Sequence, residues 1–397
     1  MKASHSIHMA AALLYLVSGC GFQTAMPTPP FTATITPTAL QPAAQAIVAA
    51  LNPIGSTSLN GEIERPPDIN PLTGLRVPDP ELLLRPPVAV KISNYPRSVR
   101  PQWGLSLADI VYEYYHNNDL TRFHAIYYSK DADLVGPIRS GRLFDGYLVD
   151  TYQSILAFAS ADSRVLARLS SEHPAWQLIG LLSGPVCPPR PVCRYTTDNY
   201  LVASTKAARE YALARGGSFN PPLQTFRFDL EIPADGELVN RIYMRYSYSA
   251  YSYWDYDEET GFYKRYQDTL EAFGARGEGY EPLMDQLTGE QISAESILVL
   301  YVPHFHTYYV PQTEFTPTVE VVDMEFEGRG KAFAFRDGMA YELRWDRESD
   351  SQLYLIDSDG KPFPLKPGNT WIEIFNDDSK LLQEDDVWRF EFVFRRP

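Results

Sequence analysis

Three arginines and a serine carry the most readable chemistry in this chain. Arg122 lies in an alternating, strand-like stretch, while Arg139 and Arg142 flank Ser140 where a helix is expected to begin. Guanidinium forks match the oxygens of carboxylate and phosphate, and a helix amino end adds unpaired N–H groups with partial positive charge. Arg122, Arg139, Ser140 and Arg142 therefore form a candidate site for an anionic ligand. The same arginines have a purely structural use, with Arg122 paired to Glu113 and the other two paired to Asp109 or Asp145.

Other constellations say less. His304 and His306 fall on one face if Tyr301–Tyr308 is a strand, and two imidazoles can begin a metal site. No third ligand stands at a matching spacing, so they read as polar strand-end residues, and no metal or other cofactor is expected. Asp255-Tyr256-Asp257-Glu258-Glu259-Thr260-Gly261 resembles a calcium loop, but Gly comes one position late and Tyr266 replaces the final Glu. A hairpin turn is the better reading. Tyrosines crowd positions 243–266, and Tyr246, Tyr248, Tyr251 and Tyr253 are a candidate aromatic surface for glycan or protein. The same residues also suit an ordinary half-buried sheet face. No Gly-x-Ser-x-Gly, His-Glu-x-x-His, phosphate loop or dinucleotide fingerprint is present.

The cysteines separate into two roles. Lys2, the apolar run Met9–Val17 and then Val17-Ser18-Gly19-Cys20 read as a bacterial lipoprotein signal, with Cys20 as the acylated residue. The apolar run is about half the length of a spanning helix. Cys187 and Cys193 bracket a proline-rich loop and are a candidate structural disulfide, contributing roughly 2–2.5 kcal/mol in the chain-entropy model. The expected location is the extracytoplasmic side of the cell membrane. A net charge of −15 argues against nucleic acid as a partner. Cell-wall glycan, an anionic envelope ligand or an envelope protein are the partners considered.

Elements must position these residues. Residues 1–20 are the signal, and 21–67 are a Pro/Thr/Ala-rich tether that would span roughly 35–40 Å as a flexible coil. Residues 68–234 alternate strands with helices: Val88–Ser93, a hairpin of Ile110–Tyr115 and Thr121–Ser129, a helix over Ser140–Asp150 with Ser140 as cap, a strand Ser154–Ala159 and a helix Thr197–Arg215. Depending on the turn, Glu113 faces Arg122 or His124. Residues 235–397 read as strands joined by turns such as Asp337-Gly338. The expected fold is α+β, a mixed α/β N-terminal domain followed by a mainly β C-terminal domain.

Ordered motifs extend over nearly all of this folded part. Asn70-Pro71-Leu72-Thr73-Gly74, Arg100-Pro101-Gln102, Ala108-Asp109-Ile110-Val111-Tyr112-Glu113 and Gly136-Pro137-Ile138-Arg139-Ser140-Gly141-Arg142 are followed by Thr260–Tyr266 and Pro367-Gly368-Asn369-Thr370-Trp371. In these the chain resembles the YerB-like family, two-domain bacterial lipoproteins. The resemblance implies the lipid anchor and the two-domain division, and brings no catalytic residues. Two stretches depart from the family pattern, Ser160-Ala161-Asp162-Ser163 and Val192-Cys193-Arg194-Tyr195. The functional expectation is a non-catalytic, envelope-associated binding protein. The rival is a cell-wall hydrolase or transferase with its site in the N-terminal domain.

Overall fold

A computed structural model describes residues 66–397, apart from 181–190, 196–199, 221–222, 224–225, 275, 310–318, 348–351 and 395–397. The expected signal, Cys20, residues 21–65 of the expected tether and Cys187 lie outside the described residues.

The centre of the molecule is laid down by β1 (Val88–Ser93), all six residues of which are buried. It pairs antiparallel with β3 (Leu120–Tyr127), which pairs in turn with β2 (Ile110–Asn117). On its other side β1 runs parallel to β4 (Ile155–Ala157), and β4 is followed in the sheet by β5 (Leu178–Ile179). The sheet does not stop at β2. The strand Thr370–Phe375 pairs parallel with β2, and Ser296–Tyr301, Gly328–Arg336, Met339–Arg347 and Tyr354–Ile356 continue outward from it. With Glu237–Leu238 on its edge, this sheet has eleven strands. The segments expected as separate α/β and β parts thus share one sheet, and strands dominate throughout.

The β2–β3 hairpin corrects both expected registers. Asn118 and Asp119 form the turn with φ of 52° and 60°, a left-handed conformation that Asn and Asp tolerate best after Gly. The pairing then shifts between Tyr115 and Asn117, a bulge at His116. Glu113 consequently faces Phe123, rather than Arg122 or His124, while Arg122 faces Tyr114 and His124 faces Tyr112.

Because side chains alternate, the two faces of this sheet differ. One carries Lys91, Tyr112, Tyr114, Arg122 and His124 and is covered by α1 (Leu143–Tyr152), whose Phe144 ring packs on Tyr112 and Tyr114. Beside it lies α2 (Ser163–Glu172), capped by the Asp162 carboxylate on the Arg164 amide. The other face carries Glu113, Phe123 and Trp371 and packs on a second, seven-stranded sheet through Trp254 and Arg265. The expected hairpin at Asp255–Gly261 belongs to that second sheet, joining Tyr251–Asp257 to Phe262–Asp268 with Gly261 at φ 73°.

Two helix expectations need revision. α1 begins at Leu143 with Arg142 at the cap, and it is the Arg142 amide that donates to Asp145 Oδ2 (2.6 Å), so Ser140 is not the capping residue. The long helix expected from Thr197 is only α3 (Thr205–Leu213), capped by Ser204. Its amino-terminal third is instead the strand Tyr200–Ala203, paired with Val192–Tyr195.

Candidate anion-binding site

Arg122 enters from β3, and Arg139 to Arg142 cross its end in the segment leading to α1. That segment is fixed by its backbone: Arg139 N–H donates to the Lys91 carbonyl, Ala159 N–H to the Arg139 carbonyl, and Gly141 N–H to the Ser160 carbonyl. It therefore lies between the carboxyl ends of the parallel strands β1 and β4, where open α/β sheets tend to bind ligands.

Two guanidinium groups converge on one oxygen there. Arg122 Nη1 donates to the Ser140 carbonyl at 2.8 Å, and Arg142 Nη1 donates to the same oxygen at 3.3 Å and to the Gly141 carbonyl at 2.8 Å. Arg142 Nη2 donates to His116 Nδ1 at 3.3 Å, which requires that nitrogen to be unprotonated. None of Arg122, Arg139 and Arg142 makes an ion pair with a carboxylate among the described residues. Glu113 is taken by Arg265, and Asp109 by Asn70, Ser129 and the Tyr128 amide. The structural pairings that could have absorbed these arginines are not formed.

The electrostatics follow from burial without a direct ion pair, the charges of Asp145 and Asp162 offsetting only part of its effect. Burial first, then Arg142, pushes the Arg122 guanidinium down to about 9, so it stays charged at neutral pH. Burial also lowers Arg142, and burial together with Arg122, Arg142 and Lys91 keeps His116 neutral. Ser140 Oγ and Ser160 Oγ meet at 3.3 Å on the exposed side.

Beneath the arginines lies a sealed network that sequence reasoning missed. Asp145, fully buried on α1, takes His124 Nδ1 at 2.8 Å, Lys91 Nζ at 3.2 Å and the Tyr114 hydroxyl, all on Oδ1. The Lys91 ammonium also donates to the Tyr114 hydroxyl. Burial alone would raise the Asp145 carboxyl, but Lys91 and His124 hold it well below the usual carboxylate range. Burial pushes Lys91 down to about 7 against the pull of Asp145. The visible signal was Lys91 itself, one charge inside the apolar run Val88–Ile92. What it meets depends on strand register.

The other expected residues disperse. Tyr246 is buried in the core, its hydroxyl donating to Glu373 Oε2 at 3.0 Å, whereas Tyr251 is buried on the opposite face of its strand, where it and Tyr253 both pack on Tyr280. Tyr248 is exposed beside Phe273, and half-buried Tyr253 stacks on Tyr266 at 4.5 Å on the outer face of the second sheet. The four do not form one surface. His304 and His306 are not solvated strand ends: their Nδ1 atoms meet the Val302 carbonyl (2.7 Å) and Glu320 Oε1 (2.8 Å), and their rings are 6.4 Å apart. Among the described residues no cluster of three or more His, Cys, Asp or Glu is arranged to hold a metal. Cys193 is buried on the strand Val192–Tyr195, but its expected partner lies outside the described residues, and so does the bridge. Convergent carboxylates do exist, in Glu113 and Glu373 around Arg265, yet the side chains are 2% and 0% exposed.

A central β hairpin, α-helices on one face and a second sheet on the other, with paired sequence motifs in both halves, define a two-part class of proteins. The chain belongs to the family described as protein of unknown function (DUF3048): the N-terminal domain model matches residues 72–184 and the C-terminal domain model residues 242–372. It is similar to the putative lipoprotein YerB of Bacillus subtilis (strain 168), at 29% identity over 77% of this chain and 86% of that protein. The crystal structure of YerB from Bacillus subtilis superposes with a TM-score of 0.62 and 26% identity, covering 77% of this chain and 96% of that one.

Proposed function

We propose that this protein is a lipid-anchored, extracytoplasmic envelope protein that binds an anionic ligand through Arg122, Arg139 and Arg142 and catalyses nothing. The anchor rests on the lipobox ending at Cys20 and on the similarity to a protein named as a putative lipoprotein. A Cys187–Cys193 bridge would suit the same compartment. The observation that carries the ligand reading is the meeting of two largely buried guanidiniums on the Ser140 carbonyl with no carboxylate between them. Like charges held this close are costly unless something neutralises them.

The hydrolase or transferase reading has less support, because two convergent carboxylate pairs are engaged by arginine, Glu113 and Glu373 sealed around Arg265 and Asp268 with Glu271 around Arg97. Titration calorimetry of the full chain in detergent micelles against acetate, citrate and phosphate tests the binding reading. Saturable heat with at least one anion is expected, and it should vanish in the double variant Arg122→Ala, Arg142→Ala. Failure of all three anions to bind the folded wild type overturns it.

A further inference from the structure

We infer that the ligand group at this site is a phosphate carrying two negative charges; this rests on the anion-binding reading above. Charge balance is the first reason. Arg122 and Arg142 share a carbonyl oxygen, and Arg139 lies close enough to act electrostatically on Arg122. Of the nearby carboxylates, Asp162 is paired with Arg164 at 2.8 Å, and buried Asp145, held by Lys91 and His124, also acts on Arg122 and Arg142 from beneath. With Asp145 offsetting one of the three guanidiniums, a carboxylate ligand would leave a positive charge unbalanced, whereas a dianion offsets the remaining two.

Shape is the second. A carboxylate is planar and is satisfied by one guanidinium fork in its own plane. Here the donors arrive from separate elements: Arg122 from β3, Arg142 from the cap of α1, Arg139 from the preceding loop. The Ser140 and Ser160 hydroxyls stand on the exposed side. Donors converging from several directions suit the tetrahedral oxygens of phosphate. Arg122 keeps the N–H groups not used on the Ser140 carbonyl for a ligand, whereas Arg142, with Nη1 on two carbonyls and Nη2 on His116, has fewer to share.

Calorimetry with the full chain in micelles at pH 8, where phosphate is mainly dianionic, separates this from the broader reading. The probes are inorganic phosphate, acetate and dihexanoyl phosphatidic acid. Phosphate should bind at least tenfold more tightly than acetate, and Arg139→Ala, at a half-exposed position, should weaken phosphate at least tenfold with an unchanged near-ultraviolet dichroism spectrum. Tighter binding of the short-chain lipid than of inorganic phosphate assigns the phosphate to a lipid headgroup; equal binding assigns it to a soluble source. Acetate binding as well as phosphate overturns the dianion while leaving the anion site standing. Absence of binding by either anion overturns both.

Discussion

At the scale of single residues, the most consequential side chain is Lys91, a fully buried amine whose pKa burial pushes down to about 7. An unfolded lysine binds its proton up to about pH 10.4, so between those limits the unfolded chain holds more protons than the folded one. Lys91 therefore opposes folding at pH 7, and this opposition is relieved as pH rises, by up to about 1.4 kcal/mol per unit. Urea unfolding should show stability increasing from pH 7 to pH 9, with the slope flattened in Lys91→Gln. A slope unchanged in the variant would show that Lys91 does not titrate this way. The charge in an apolar strand was legible from the sequence, but its partners were not. Asp145 and His124 reach Lys91 only because α1 lies across this face and β3 pairs in this register. The arginines were legible as residue types. That Arg122 does not face Glu113 depended on the bulge at His116, which a turn-based count of the hairpin does not contain.

Among the elements, the contact between the two sheets is held by an ion triad. Arg265 reaches Glu373 at 3.0 Å and also pairs with Glu113, while its guanidinium lies 4.5 Å from the Trp371 ring centroid. Burial first, then the charge of Glu113, pushes the Glu373 carboxyl up. Losing the cation strands two carboxylates in the interior, so Arg265→Leu should cost about 3–5 kcal/mol in chemical denaturation. Glu373→Gln keeps the shape of a group that readily takes a proton and should cost about 1 kcal/mol or less at neutral pH. Equal losses in the two variants would contradict the assignment of charge within the triad. The strands carrying these residues were visible in their alternation, Thr370–Phe375 and Phe262–Asp268 among them. Alternation cannot say which sheet a strand joins. The long helix expected from Thr197 failed for a related reason, because Tyr200–Ala203 finds a strand partner in Val192–Tyr195.

At the scale of the whole molecule, the proposed anchor and the anion site make one functional unit only if Cys20 is acylated. Labelled palmitate should enter the wild type and not a Cys20→Ser variant, which should also be released from membrane fractions. Incorporation at equal levels in both would remove the basis for the anchor. Among the described residues no helix is long and apolar enough to cross a membrane. The two sequence halves were legible as α/β-like and β-like segments, and the family models fall on each in turn. Their merger was not legible, since it rests on parallel pairing between β2 and Thr370–Phe375, separated by most of the folded chain.

That pairing sets an order of events for the newborn polypeptide. A ribosome delivers the amino end first, so β1, β2 and β3 emerge long before residues 370–375 exist to lie against them. Until the last few dozen residues arrive, β2 offers a bare row of amide and carbonyl groups to any passing extended segment. Completion is late and non-local, which favours slow maturation and makes loss of the carboxyl tail a route to intermolecular clumping.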